Sequence, residues 1–159
     1  MATKPRADFM KVPADRRTVL TPQQIEVIQQ SFAKITPISD KAAAMFYGRL
    51  FEIAPDTRSL FRGDMAEQGR KLMATLSVVV SGLANLDAIL PATSALAKRH
   101  VSYGVKASHY APVGAALLWT LEKGLGSAWT PELAGAWTAA YMTLSGFMIG
   151  EAYGRGAAA

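Results

Sequence analysis

Prolines and capping residues divide the chain into helical segments. In "TPQQIEVIQQSF", Thr21 can act as the N-cap, Pro22 occupies the first helical position, and Gln24 completes a capping box. This pattern predicts a first helix over about residues 21–36. The same order of threonine and proline in "WTPELA" predicts a final helix over about residues 130–153.

Apolar spacing predicts further helices between these two. "SDKAAAMFYGRLFEIA" carries apolar residues three and four apart, as an amphipathic helix does, and Pro55 ends it. "PDTRSLF" reads as a turn or one short helical piece. A modest helix is expected after Pro91, and a longer one is expected to stop at Gly124 and Gly126. No segment alternates with period two, so we predict an all-α globule of roughly seven helices.

Length and composition limit the classes of protein. The 159 residues, half of them apolar, suffice for one domain with one core. The absence of cysteine excludes disulfides, thiolate metal sites and a cysteine nucleophile. We expect a domain over residues 21–154, a basic and poorly ordered extension over residues 1–20, and a tail over residues 155–159.

Neither nucleic acid nor membrane is expected as a partner. Acidic residues and prolines interrupt the basic extension, which is typical of a solvated tail. The uncharged run over residues 133–150 contains three glycines, two threonines and a serine, and this composition favours a buried helix over a membrane span. No apolar run near the start resembles a secretory signal, so a cytoplasmic protein is expected.

Two histidines, His100 and His109, limit the metal chemistry. His100 follows Leu96 by four residues and therefore shares the apolar side of its helix. No second histidine, cysteine or carboxylate lies three or four residues from it, which argues against an ordinary zinc site. A single axial imidazole is enough for haem iron, because the porphyrin supplies four other ligands. An ordinary half-buried histidine remains the alternative.

Four segments carry a resemblance to a known family. In order, "MFYGRLFEIAPDTRSLF", "EQGRKL", "LAKRHVSYGVKASHYAPVG" and "AWTAAYMTL" resemble the globins, in particular bacterial single-domain globins related to the haem domains of flavohaemoglobins. The resemblance covers about residues 20–153. It implies a globin fold around haem b (iron protoporphyrin IX), with His100 as the proximal iron ligand and His109 in a structural role.

The resemblance also implies a distal side. Phe61 matches the phenylalanine that stacks on the porphyrin, and Pro55 shapes the preceding turn. Tyr47 and Gln68 match the two distal positions, and Leu72 lies one helical turn beyond Gln68 and faces the same pocket. The residues alone allow other roles: a core aromatic at Phe61, a Tyr47 hydroxyl on a backbone carbonyl, and a Gln68 that reaches solvent.

Dioxygen is the ligand that these residues favour. Hydrogen bonds from Tyr47 and Gln68 to its partly negative oxygen would contribute about 1.5–3 kcal/mol each. Carbon monoxide would gain less, and nitric oxide and cyanide are further candidate ligands. Lys71 and Arg99 are weak candidates for contact with the haem propionates, and either can equally be a solvated surface charge.

The proximal side departs from the flavohaemoglobin pattern. Those proteins polarise the proximal histidine with a glutamate assisted by a tyrosine, which Tyr110 matches. Counted from Trp137, Glu151 arrives one residue early, and Ala152 holds the matching place. One residue turns a helical side chain by about 100°. We therefore expect His100 to bond a backbone carbonyl instead.

Two functions follow from the resemblance. The first is reversible, high-affinity binding of dioxygen for storage, scavenging or sensing. The second is an enzyme that converts nitric oxide to nitrate or handles peroxide. Because the chain ends at residue 159, the second requires a separate reductase. The proximal departure favours the first.

Overall fold

The protein is built from helices. A computed structural model describes residues 20–153, apart from the side chains of Ser102 and Tyr153. Within this range there is no strand, and the prediction of an all-α chain is confirmed. Six α-helices are present: α1 Pro22–Ile35, α2 Ser39–Ile53, α3 Met65–Ser81, α4 Leu86–Ser102, α5 Tyr110–Leu125 and α6 Pro131–Tyr153. Short 3-10 helices join them at Thr36–Ile38, Pro55–Leu60, Leu83–Asn85, Ala107–His109 and Gly126–Ala128.

The predicted caps are present at both ends of the domain. The Thr21 hydroxyl accepts from the Gln24 N–H at 3.0 Å, and the Gln24 side chain accepts from the Thr21 N–H at 2.9 Å. This reciprocal pair satisfies two main-chain donors at the start of α1. Thr130 caps α6 through the Leu133 N–H at 3.1 Å.

The fourth helix differs from the prediction. It starts at Leu86, whereas the sequence suggested a helix only after Pro91, which instead lies inside it. A proline costs one main-chain hydrogen bond there. Burial of Leu86 and Ala97 on the core side offsets this cost, because both side chains leave water when the helix forms.

Helix α2 lies at the centre of the packing. It contacts α5 and α3 extensively, and α4 contacts α6. Gly69 permits the close approach of α3 to α2, since a Cβ atom at this position would lie 2.8 Å from the Cβ atom of Ala43. Trp137 of α6 reaches across the core and donates to the Ser31 hydroxyl of α1 at 2.9 Å. The crossing at Gly69 fixes the start of α3 over α2.

No single helix within residues 20–153 is long and apolar enough to cross a membrane, although α3 and Leu83–Val101 together, bent by 52°, have the length and composition of a broken span. The uncharged run over residues 133–150 lies in α6, where Leu133, Ala136 and Trp137 are buried in the core. The proposed extension over residues 1–20 lies outside the described part of the chain except for Leu20, which is buried, and the tail over residues 155–159 lies outside it entirely.

Candidate functional site

His100 sits in the last turn of α4 with a defined tautomer. Its Nδ1 atom lies 2.8 Å from the carbonyl oxygen of Leu96. Because a carbonyl can only accept, Nδ1 carries the hydrogen and Nε2 keeps its lone pair. Burial lowers the pKa of His100, and the positive charge of Arg99 lowers it further, although the Leu96 hydrogen bond raises it. The imidazole is therefore neutral near pH 7 and can act as a metal ligand through Nε2.

A Schellman motif ends α4 at Ser102, two residues after His100. The Gly104 N–H donates to the Val101 carbonyl and the Val105 N–H donates to the His100 carbonyl, both at 3.0 Å. Gly104 has a φ of 93°, in the region that glycine tolerates best. A Cβ atom at Gly104 would lie 3.3 Å from the Leu60 side chain, so this turn packs against the 3-10 helix Pro55–Leu60.

Two tyrosines flank the His100 ring. The ring of Tyr110 stacks at 6.5 Å between centroids and 28° between planes, and it is buried. The ring of Tyr103 lies 5.9 Å from the His100 ring, and Tyr103 is exposed. The hydroxyl of Tyr141 on α6 donates to the Tyr110 carbonyl at 2.5 Å and holds the start of α5. Neither Tyr103 nor Tyr141 was identified from the sequence. The partner of Tyr141 lies on another helix, 31 residues away. Tyr103 follows His100 by three residues, so local helical spacing was the signal that could have found it.

The carboxylate of Glu151 does not bond His100. It accepts from the Ser94 hydroxyl at 2.6 Å on the exposed side of α4. The predicted backbone acceptor for His100 is present, as the carbonyl of Leu96. The register of α6 thus turns its only late carboxylate toward Ser94, as the one-residue offset suggested.

Tyr47 is a residue of α2, and its side chain lies in an aromatic cluster. Its ring contacts those of Phe46, Phe51 and Phe61, with centroids 5.0, 6.0 and 5.0 Å away. Only 7% of Tyr47 is exposed, and this burial raises the pKa of its hydroxyl to about 12. The hydroxyl is therefore a hydrogen-bond donor at neutral pH. It points to the Gln68 carbonyl at 3.4 Å, long for an O–H donor.

Gln68 is near Tyr47 through its backbone and not through its amide. The amide nitrogen donates to the Arg62 carbonyl at 3.3 Å. Leu72 is half-buried and packs against the core one turn further along α3. The structure therefore brings Tyr47, Phe61 and the Gln68 carbonyl together, and it shows the Tyr47 hydroxyl on a backbone carbonyl, the alternative that the residues alone allowed.

The proposed propionate partners are surface residues. Lys71 is exposed and lies 3.9 Å from the Glu67 carboxylate, one turn earlier on α3. Arg99 is exposed at the end of α4. His109 has a structural position: its Nδ1 accepts from the Lys106 N–H at 2.9 Å, and its Nε2 lies 3.4 Å from Asp56.

The side chains of this site suit a metal ion whose other ligands come from a cofactor. Across residues 20–153, no group of three or more His, Cys, Asp or Glu side chains could hold a metal ion. Only Gly69 and Val80 of α3 are buried, whereas α2 has five buried residues and α5 seven. Helix α3 therefore presents apolar side chains that the protein covers only in part. One neutral imidazole and an apolar wall fit a porphyrin iron.

Comparisons with known proteins define the class. The globin family profile matches residues 44–148. The chain belongs to the globin family, and the predicted globin fold is confirmed. Membership of this family, together with the flavohemoprotein relatives described below, implies a haem cofactor.

The relatives of this chain include flavohemoproteins. It is 32% identical over 136 residues to the flavohemoprotein of Bordetella parapertussis, covering 84% of this chain and 34% of that protein. The flavohemoprotein of Bacillus subtilis is 28% identical over 135 residues, with 83% and 34% covered. The chain thus spans about a third of the length of these relatives.

Solved structures agree with this branch. A bacterial globin from Campylobacter jejuni superposes with a TM-score of 0.73 at 26% identity, covering 82% of this chain and 95% of the other. An engineered carbene transferase from Rhodothermus marinus superposes with a TM-score of 0.72 at 30% identity, covering 80% and 89%. Both confirm the resemblance to bacterial globins.

Proposed function

We propose that this globin holds haem b (iron protoporphyrin IX) through Nε2 of His100 and binds dioxygen reversibly with high affinity. The observation that carries the proposal is the state of His100, whose Nδ1 donates to the Leu96 carbonyl while burial lowers the pKa of the ring. A histidine in this state is neutral, oriented and ready to ligate through its second nitrogen.

The acceptor of the Nδ1 hydrogen favours reversible binding. A neutral carbonyl draws less on that hydrogen than a carboxylate does, because charge-assisted hydrogen bonds are roughly twice as strong. The imidazole therefore stays a neutral ligand with little imidazolate character. Glu151, the carboxylate nearest in sequence to the flavohaemoglobin position, is bonded to Ser94. Both features support ligand binding over cleavage of an oxygen to oxygen bond.

The distal donor is the Tyr47 hydroxyl. Haem supplies the iron that binds dioxygen. The present bond of Tyr47 to the Gln68 carbonyl is long, at 3.4 Å, and can be exchanged for a better acceptor at modest cost. A bond to a partly charged oxygen is worth about 1.5–3 kcal/mol, which slows dissociation roughly ten- to hundredfold. Burial of Tyr47 excludes the water that would compete for this bond.

The remaining residues have smaller roles in the proposal. Phe61 and Leu72 would pack on the porphyrin, and Tyr110 limits rotation of the His100 ring through its stacked contact. The Gln68 amide becomes a second donor only if it leaves the Arg62 carbonyl. Lys71 and Arg99 would meet the propionates as exposed charges, each worth about 0–1 kcal/mol.

Haem loading tests the proposal directly. Purified protein mixed with hemin should give a Soret band, and the deoxygenated ferrous form should show a histidine-ligated spectrum. The variant His100→Ala should lose this spectrum, whereas His109→Ala should retain it, because His109 contacts Lys106 and Asp56. Failure of the protein to form this Soret band with hemin would refute the proposal, as would a His100→Ala variant with an unchanged spectrum.

Nitric oxide dioxygenation is the second candidate function. The engineered Rhodothermus marinus protein derives from a candidate nitric oxide dioxygenase, and the curated relatives are flavohemoproteins. Tyr47 would serve both functions, and carbon monoxide, nitric oxide and cyanide would bind at the same position. Sustained nitric oxide consumption at a rate set by an added reductase would favour the enzyme. A single turnover per haem would favour reversible binding.

A further inference from the structure

His109 links two segments of the candidate site. One is the turn over residues 104–109, which follows the helix of His100 and which we call the proximal turn. The other is the 3-10 helix Pro55–Leu60. The Nε2 atom of His109 lies 3.4 Å from the Oδ2 atom of Asp56, in the first turn of that 3-10 helix. A side-chain contact therefore joins two parts of the chain that are far apart in sequence.

Two local hydrogen bonds hold the His109 ring in place. Its Nδ1 atom accepts from the Lys106 N–H, and the His109 N–H donates to the Lys106 carbonyl, both at 2.9 Å. Because Nδ1 accepts, the hydrogen of the neutral ring is on Nε2, the atom that faces Asp56. Only 12% of the His109 side chain is exposed, against 74% of the Asp56 side chain. The imidazole is therefore a fixed N–H donor that an exposed carboxylate can reach.

A second contact joins the same two segments. A Cβ atom at Gly104 would lie 3.3 Å from the Leu60 side chain, so the proximal turn already packs against the end of the 3-10 helix. Each segment leads directly to a residue of the candidate site. The Val105 N–H donates to the His100 carbonyl at 3.0 Å, and Phe61 follows the last residue of the 3-10 helix. Separation of the segments would therefore move His100 relative to Phe61.

We propose that His109 and Asp56 form a clamp that holds the proximal turn against the 3-10 helix Pro55–Leu60 and slows the loss of haem. This inference rests on the proposed function, in which His100 ligates the iron and Phe61 packs on the porphyrin. The clamp does not act on ligation itself, because His100 keeps its own backbone hydrogen bond without it. A His109→Ala variant therefore retains the histidine-ligated spectrum and differs in the rate at which haem leaves.

The rate of hemin loss tests the clamp. Ferric holoprotein is mixed with excess apomyoglobin, and the transfer of hemin is followed by absorbance. Asp56→Ala should raise the rate constant about two- to fivefold, because an exposed charged pair shifts an equilibrium by up to about fivefold. Glu132→Ala is the matched control: Glu132 is also an acid in the first turn of its helix, and it accepts from the Gln23 side chain at 3.0 Å. That bond joins α1 to α6, outside the clamp, so the control should leave the rate within about 1.5-fold.

Reversal of the charges separates the clamp from a local role of His109. His109→Glu keeps a side-chain acceptor for the Lys106 N–H, as glutamate does in a capping box, but places a second carboxylate beside Asp56. This variant should lose hemin faster than Asp56→Ala. Adding Asp56→Lys to His109→Glu restores an attractive pair and should return the rate to within about twofold of the unmodified protein. Absence of this rescue would overturn the proposal.

Amide hydrogen exchange in the holoprotein gives a readout that does not depend on hemin transfer. Asp56→Ala should speed exchange about two- to fivefold at Val105 and His109, whose N–H groups lie in the proximal turn, whereas Glu132→Ala should leave these two amides unchanged. Equal hemin loss from Asp56→Ala and Glu132→Ala, or unchanged exchange at both amides in Asp56→Ala, would also overturn the proposal. Failure of the chain to load hemin would instead refute the proposed function.

Discussion

Removal of the Tyr47 hydroxyl should raise the dissociation rate of dioxygen while changing the free energy of unfolding only a little. The variant Tyr47→Phe keeps the ring contacts with Phe46, Phe51 and Phe61 and deletes one oxygen atom. The hydroxyl's bond to the Gln68 carbonyl is long, so its loss should cost at most about 0.5–1.5 kcal/mol of unfolding free energy. Loss of a donor to bound dioxygen costs about 1.5–3 kcal/mol, which corresponds to roughly ten- to hundredfold faster dissociation.

Stopped-flow replacement measures this effect. The oxygenated protein is mixed with carbon monoxide, and the rate of spectral change gives the dioxygen dissociation rate. Displacement of carbon monoxide by nitric oxide gives the matching rate for a less polar ligand, which should change much less. Tyr103→Phe is the matched control, because it deletes the same atom from an exposed tyrosine whose ring lies 5.9 Å from the His100 ring. Equal acceleration for both ligands, or an unchanged dioxygen rate in a haem-loaded Tyr47→Phe, would refute the donor role.

Three further predictions follow from the contacts of Gly114 and Glu151 and from the raised pKa of Tyr47. Gly114→Ala should lower the free energy of unfolding, measured in urea, by about 1–3 kcal/mol, because the added Cβ atom would lie 2.5 Å from the Tyr141 ring. Gly135→Ala is the control: no atom lies within 4 Å of the added Cβ atom, so this change should be neutral or stabilising. Glu151→Gln should leave the ferrous iron to histidine stretching frequency unchanged, since Glu151 bonds Ser94, and a lowered frequency would show that the carboxylate reaches His100. Tyrosine ionisation is followed by absorbance at 295 nm as the pH is raised. The titration step that is present in the unmodified protein and missing from Tyr47→Phe should have its midpoint near pH 12.

The pH dependence of the Tyr47 contribution has a definite sign. Burial raises the pKa of this phenol to about 12 from an ordinary value of 10.0. A group that holds its proton more tightly when folded stabilises the fold fully below the lower value and loses that contribution as the pH rises from 10 to 12. Circular dichroism at each pH checks that the chain remains folded. A midpoint near 10 in folded protein would show that Tyr47 is solvated.

Local sequence determined the helices and the place of the key imidazole. The capping box at Thr21 and the cap at Thr130 act over three residues, so they could be read without the fold. The spacing of His100 from Leu96 puts the ring beside the carbonyl one turn earlier, within the same helix. The misplaced start of α4 shows the limit of such reading: Pro91 is a local signal, and burial of Leu86 outweighed it.

Only the tertiary structure decided which groups the site residues contact. The bonds of Glu151 to Ser94 and of Tyr141 to Tyr110 join residues 57 and 31 positions apart. Such pairs depend on the angle and register at which helices cross, which propensity and spacing within one helix do not specify. The direction of the Tyr47 hydroxyl likewise depends on how close α3 approaches α2 at Gly69. The helices and the position of His100 could therefore be predicted from the sequence. The partners of Tyr47, Gln68 and Glu151 could be identified only in the tertiary structure.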